Sequence, residues 1–178
     1  YCNKIRLDTK KLHSLFASSA GVSIDTRRIS KDEIYFSLKG DNFDGNKFAL
    51  EAIKKGAKFS VVDDIKLKNA NDKIIYVEDT LKSLQELSNY HRSLFDTKVI
   101  GITGSNGKTT TKNLIYSILS QTYNVIKTKG NLNNHIGVPL SLLDINDDVD
   151  IAVIEMGANH VGEIKRLCEI AMPDFGLI

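Results

Sequence analysis

The chain has 178 residues, 42% of them hydrophobic and 26% charged, with a formal net charge of +2. This is ordinary globular composition for one domain or two small ones, and so small a charge argues against nucleic acid or an anionic membrane as a partner. No apolar run reaches transmembrane length, the N-terminal YCNKIRLDTKKLHSLF lacks the apolar core and cleavage site of a signal peptide, and Cys2 and Cys168 form no metal or redox spacing.

A reducing cytoplasm fits all three observations. In chain order, GVSID (21–25), IYFSLKG (34–40), FSVVDD (59–64) and IIYVED (74–79) read as short strands. Between the second and third, Phe48, Ala52 and Ile53 mark a helix face that Gly56 closes. Leu81, Leu84, Leu87 and Leu94 then outline a longer amphipathic helix from Thr80 to about Phe95. The polar break DTK (96–98) predicts a boundary between a first domain, 1–97, and a second, 98–178.

The second half alternates more regularly. VIGIT is a strand, Lys108–Gln121 a helix and NVIKT (124–128) a strand; an asparagine-rich loop leads to the strand DIAVIEMG (150–157), a helix over 161–171 and the start of a strand in FGLI. Continuous apolar strands separated by helices predict a parallel sheet covered on both faces. Val161, Ile164, Leu167, Cys168 and Ala171 share helical spacing, which predicts a core thiol at Cys168. Because the chain stops inside its last strand, the expected fold is α/β: a small mixed α/β domain followed by the first part of a P-loop parallel-sheet domain.

Chemistry concentrates in GITGSNGKTTTKN, Gly101–Asn113. The usual phosphate-loop pattern wants a glycine five positions before Gly107, with four residues between, and Ile102 stands at the position that the spacing requires. The physical context nevertheless holds. A strand, a glycine-rich turn and a helix opening on Lys-Thr-Thr would aim the backbone N–H groups of Gly104, Ser105, Asn106, Gly107, Lys108, Thr109 and Thr110 at an anion. Lys108 would reach the terminal phosphates of ATP, and the Thr109 hydroxyl would ligate Mg²⁺. The GxxGxxG spacing argues against a dinucleotide fold; a plain glycine-rich turn beside a surface lysine is the simpler alternative. Glu155, ending the apolar strand IAVIE, is the second candidate metal ligand, since a strand-end acid is costly to bury unpaired. A solvated glutamate is its alternative.

Together GITGSNGKTTTKN, TKGNLNNHIGVPLSLL (128–143) and AVIEMGANHVGEI (152–164) resemble the Mur ligases of peptidoglycan synthesis. SIDTRRISKDEIYFSLKGDNFDGNKF (23–48) resembles the UDP-binding domain of that family, and NLNNHIGVP with EMGANHVGEI favours its D-alanyl-D-alanine-adding branch. The resemblance implies an ATP-dependent amide ligation between UDP-N-acetylmuramoyl-tripeptide and D-alanyl-D-alanine through an acyl phosphate, carried out in the cytoplasm by a monomer. It implies catalytic roles for Lys108 and Glu155 and Mg²⁺ on Thr109 and Glu155. It puts Thr26, Arg27 and Lys39 at the uridine diphosphate end, and Asn131, Asn133, Asn134 and His135 near the muramoyl peptide. For the asparagines a turn, and for Arg27 with Arg28 a solvated basic pair, remain alternatives. Family parts beyond Ile178 (a second metal site, the adenine contacts and a third domain) are expected to be needed for turnover. A non-catalytic nucleotide-binding module and another Mur-type or folylpolyglutamate-type ligase are the competing functions.

Overall fold

Apolar runs of the first half lie side by side as parallel strands. The computed structural model describes residues 8–178; Cys2, and the first seven residues of the stretch read for a signal peptide, lie outside them. The chain forms two compact units, divided between Leu87 and Ser88.

The first unit contains α1 (Thr9–Ala17), β1 (Val22–Ser23), β2 (Ile34–Phe36), β3 (Lys39–Gly40), β4 (Phe43–Asp44), α2 (Ala49–Lys54), β5 (Phe59–Val62), β6 (Ile74–Tyr76) and the first turns of α3 (Thr80–Arg92). β1, β2, β5 and β6 form one parallel sheet in that order, and β3 pairs with β4 as an antiparallel hairpin. Ile34, Tyr35 and Phe36 are all buried, as expected of a strand covered on both faces. The strand expected to run to Gly40 ends at Phe36. Ser37 there turns its hydroxyl onto Val61 O (2.7 Å), and Leu38 O accepts from Gly45 N (2.9 Å). The chain bends and sends Lys39 into the hairpin. α1 was not foreseen; it starts at an Asp8 cap and buries Leu12 and Phe16, one turn apart.

The second unit holds the rest of α3, then β7 (Lys98–Ile102), α4 (Lys108–Leu119), β8 (Val125–Lys127), α5 (Gly137–Leu142), β9 (Ile151–Glu155), α6 (Glu163–Ala171) and β10 (Phe175–Leu177). Its sheet is entirely parallel, in the order β10-β7-β9-β8. Side-chain alternation along β9 builds two cores. Ala152 and Ile154 pack with Val99, Val138, Leu142, Leu167 and Ile170 on one face. Val153 and Ile151 pack with Ile102, Val125, Ile115, Tyr116 and Leu119 on the other. α5 occupies a stretch expected to be loop. Pro139 lies in its first turn, where the missing N–H costs nothing, and Asn134 Oδ1 accepts from Ile136 N (3.1 Å) and Gly137 N (2.9 Å). Cys168 is half-buried, its Sγ 3.9 Å from Met156 Sδ. Val161 lies outside α6, which begins after Gly162, and is fully exposed.

The units divide ten residues ahead of the boundary expected after Thr97, because the end of α3 bonds to the second unit. Asn89 Nδ2 donates to Glu169 O and Ile170 O (both 3.0 Å), and His91 Nε2 donates to Ile145 O (2.8 Å). Arg92 Nη2 reaches Asp174 Oδ2 at 2.9 Å.

Asp174 Oδ2 also accepts from Val99 N (2.8 Å). That backbone bond, opposed by partial burial and helped by Lys98 and Arg92, holds its carboxyl below the ordinary range. A depressed carboxyl pKa contributes stability that is complete above the unfolded value, near 3.9, and is lost as pH falls through the folded value. The urea midpoint of the second unit should therefore fall as pH drops below about 4, and Asp174→Asn should remove part of that fall. Parallel pH profiles for the two proteins would contradict this.

Candidate functional site

Strand geometry decides where Glu155 points. It is the last residue of β9 and shares the face of Ile151 and Val153, the face that α4 covers. On α4, Thr109, Lys112, Ile115, Tyr116 and Leu119 recur at helical spacing and face the sheet. The Glu155 carboxylate thereby meets the first turns of α4 in the interior, where its side chain is 3% exposed.

Three donors answer it. Thr109 Oγ1 lies 3.3 Å from Oε1 and 3.1 Å from Oε2, Asn133 Nδ2 donates to Oε1 at 2.9 Å, and Lys112 Nζ is 2.9 Å from Oε2. Burial alone would raise the carboxyl pKa. The bonds from Lys112, Asn133 and Thr109 more than reverse that, so Glu155 lies below the usual carboxylate range and is ionised at neutral pH. Its backbone N–H donates to Thr128 Oγ1 (2.9 Å), fastening the end of β8 to the same point. The two residues expected to share a metal are thus brought together, and the solvated alternative for Glu155 does not hold.

The glycine-rich turn between β7 and α4 has Gly104 at φ +129° and Gly107 at φ +79°. Side-chain-bearing residues rarely adopt these angles. Gly107 caps α4 without a side-chain acceptor, which leaves the first N–H groups of the helix to an outside anion. Lys108 Nζ donates to Gly104 O at 2.5 Å, its ammonium folded over the turn. Ser105, Asn106, Gly107, Thr109 and Thr110 are exposed. The turn can hold a polyphosphate, with Thr109 and Glu155 as oxygen donors for a metal.

The asparagine loop divides its duties. Asn133 commits its side-chain amide to Glu155 and its backbone carbonyl to Gly157 N (2.7 Å), while Asn134 caps α5. Asn131 and His135 are exposed. Sequence reasoning passed over Lys112, although a lysine on an otherwise apolar helical stripe was a usable signal.

In the first unit, Asp25 and Arg27 form a fork. Arg27 Nε and Nη2 donate to Asp25 Oδ1 (2.9 Å) and Oδ2 (2.8 Å), and Arg27 holds the Asp25 carboxyl at about 2. Arg27 remains largely exposed, whereas Thr26 is buried and its carbonyl accepts from Lys55 Nζ (3.1 Å). Residues 25–28 form a turn closed by Arg28 N to Asp25 O (3.1 Å), so strand alternation does not apply to the two arginines. Lys39 Nζ pairs with Asp63 at 2.8 Å. Asp63 Oδ1 also accepts from buried Asn46 (2.7 Å), which accepts in turn from Ser37 Oγ (3.0 Å). That network was not anticipated.

Comparison with known proteins follows the two halves. Residues 19–92 match the Mur ligase family, catalytic domain, and residues 102–178 match the Mur ligase middle domain. The UDP-N-acetylmuramoyl-tripeptide–D-alanyl-D-alanine ligase of Bacillus subtilis is 44% identical over 160 residues, covering 89% of this chain and 35% of that protein. The enzyme of that name in Escherichia coli is 39% identical over 160 residues (88% of this chain, 34% of that protein). MurF from Acinetobacter baumannii superposes with a TM-score of 0.79 at 36% identity, over 87% of this chain and 34% of that one. The MurF ligase of Thermotoga maritima in complex with ADP superposes with a TM-score of 0.78 at 35% identity (88% and 36%). The chain thus spans about a third of the length of these relatives.

A Cβ at Gly157 would come within 2.9–3.0 Å of the Asn133 side chain. Gly157→Ala should therefore push the Asn133 amide off Glu155 and cost about 1–3 kcal/mol in urea unfolding. In an Asn133→Ala background the same change should cost much less. An additive double-mutant cycle would refute the coupling.

Proposed function

Because the chain belongs to the Mur ligase family through both its halves, we propose that it supplies the N-terminal and middle domains of a UDP-N-acetylmuramoyl-tripeptide–D-alanyl-D-alanine ligase. The reaction is an ATP-dependent amide ligation in the cytoplasm, in peptidoglycan synthesis. A peptide carboxylate of the UDP-linked substrate takes the γ-phosphoryl group and ADP leaves; the amine of D-alanyl-D-alanine then displaces phosphate from the acyl phosphate. The observation that carries the reading is the meeting of Thr109 and Glu155 at the open N-terminus of α4, beside Lys108.

Chemistry between anions needs charge neutralised. Lys108 and the N–H groups of Gly104–Thr110 bind the phosphates and orient them. Thr109 Oγ1 and Glu155 are hard oxygen donors, and they fit Mg²⁺, which is held by one or two carboxylates together with substrate phosphates and water. When bound, the metal neutralises phosphate charge. Among the described residues no three His, Cys, Asp or Glu side chains gather to hold a metal unaided, which is consistent with a site that the nucleotide completes.

The exposed Arg27 and Lys39, each preset by a carboxylate, receive the uridine diphosphate in this reading, with buried Thr26 shaping the turn. Asn131 and His135 face the muramoyl peptide, and Asn133 and Asn134 fix the loop that carries them.

In the full-length ligase, Lys108→Ala should lower kcat by about 100-fold or more with the fold intact, since single charge contacts to a transition state have that worth. Turnover within about threefold of wild type would overturn the phosphate-loop assignment. Arg27→Ala should raise KM for the UDP-linked substrate and leave KM for ATP nearly unchanged, the pattern of a lost uniform binding contact. An Arg27 effect confined to ATP would remove the uridine site from this turn.

A further inference from the structure

Among the described residues, Lys112 is the only buried lysine, with its side chain 2% exposed. Its place on α4, between Thr109 and the apolar pair Ile115 and Tyr116, is one where leucine or methionine would pack without any charge to desolvate. A buried ion pair is weak evidence of stabilisation, since a well-packed apolar pair of similar volume often serves as well or better. The charge therefore calls for a reason other than stability.

The partners of the ammonium supply one. Lys112 Nζ is 2.9 Å from Glu155 Oε2 and donates to Gly130 O at 3.1 Å. With Oε2 held by Lys112 and Oε1 by Asn133, the carboxylate cannot rotate, and Thr109 Oγ1 sits across both oxygens. Gly130 opens the loop that carries Asn131, Asn133, Asn134 and His135. One ammonium thus joins a carboxylate on β9, a helix that begins at the phosphate turn, and the backbone of the asparagine loop.

We propose that Lys112 is a positioning residue for the ligation: it clamps Glu155 toward Thr109 and ties the asparagine loop, through Gly130, to the same carboxylate. The metal side and the peptide side of the reaction are thereby set by a single cation. Lysine suits the task because its three donors can satisfy two acceptors on different elements, and because a fixed carboxylate needs no reorientation when a ligand arrives. The inference rests on reading Gly104–Thr110 as the phosphate cradle.

The test is made on the full-length ligase with Lys112→Met, which keeps the apolar stem and removes the charge. ADP affinity without Mg²⁺, measured calorimetrically, should stay within about twofold of wild type, while the gain in affinity on adding Mg²⁺ shrinks. KM for the UDP-linked tripeptide should rise about tenfold and KM for D-alanyl-D-alanine stay within about twofold. An unchanged Mg²⁺ gain with an unchanged KM for the UDP-linked substrate overturns the proposal. So does a uniform loss of all these constants together with a lower melting temperature, which is the mark of a packing role alone.

If Lys112→Met fails to fold because Glu155 is left buried and uncompensated, Glu155→Gln is compared with Lys112→Met/Glu155→Gln. Weaker binding of the UDP-linked tripeptide by the double variant supports the tether at Gly130; equal binding refutes it. Lys108→Ala separates the two readings. If it keeps wild-type ADP affinity and turnover, the phosphate cradle itself is wrong; if it loses them while Lys112→Met behaves as wild type, only the present inference falls.

Discussion

An ionised carboxylate 3% exposed at the end of a buried strand constrains everything around it. Removing such a group from water costs several kcal/mol unless donors replace the lost hydration. Thr109 and Lys112 from one helix and Asn133 from one loop are those donors. Each can reach only if α4, β8 and the asparagine loop converge on the end of β9. The parallel sheet makes this possible, since parallel strands bring their C-terminal ends to one edge, where open α/β sheets place their ligands.

Two lysines one helical turn apart show how burial divides similar chemistry. Lys108 belongs to the rim of the turn, its ammonium on Gly104 O and part of its surface in water, free to exchange that carbonyl for a phosphate. Lys112 lies inside, committed to Glu155 and Gly130. The first is suited to meet a ligand and the second to hold the protein that meets it. Neither role follows from residue type, because both are ammonium groups on the same helix.

The first unit uses carboxylates differently. Asp25 and Asp63 orient Arg27 and Lys39 at the surface. Exposed ion pairs of this kind add little stability, and their effect is to preset two cations in a region that matches the Mur ligase family. Arg27, as a planar fork, and Lys39, as a point charge, differ in what they can recognise.

Much of the α/β order was legible in the sequence, because continuous apolar runs and helical spacing are local signals. VIGIT covers all of β7 but Lys98, NVIKT and DIAVIEMG contain β8 and β9, and Lys108 opens α4 as the turn chemistry required. The glycine-rich turn into α4 was readable although Ile102 breaks the usual phosphate-loop spacing, since its strand, its glycines and its helix start are local features. Glu155 was readable as an acid ending an apolar strand. What local pattern could not decide was where long-range bonds fall. α5 escaped because Gly137 and Pro139 read as breakers until Asn134 capped the first turn; the end of α3 passed to the second unit through Asn89, His91 and Arg92; and the strand ending at Phe36 was cut short by Ser37 turning onto Val61. Lys112 is the clearest case. By itself the sequence determined that a lysine stood on the apolar stripe of α4, and only the tertiary structure, bringing β9 and the loop at Gly130 against that stripe, decided that its charge would be buried and paired, because the acceptors that justify burying it lie 18 and 43 residues away in the chain.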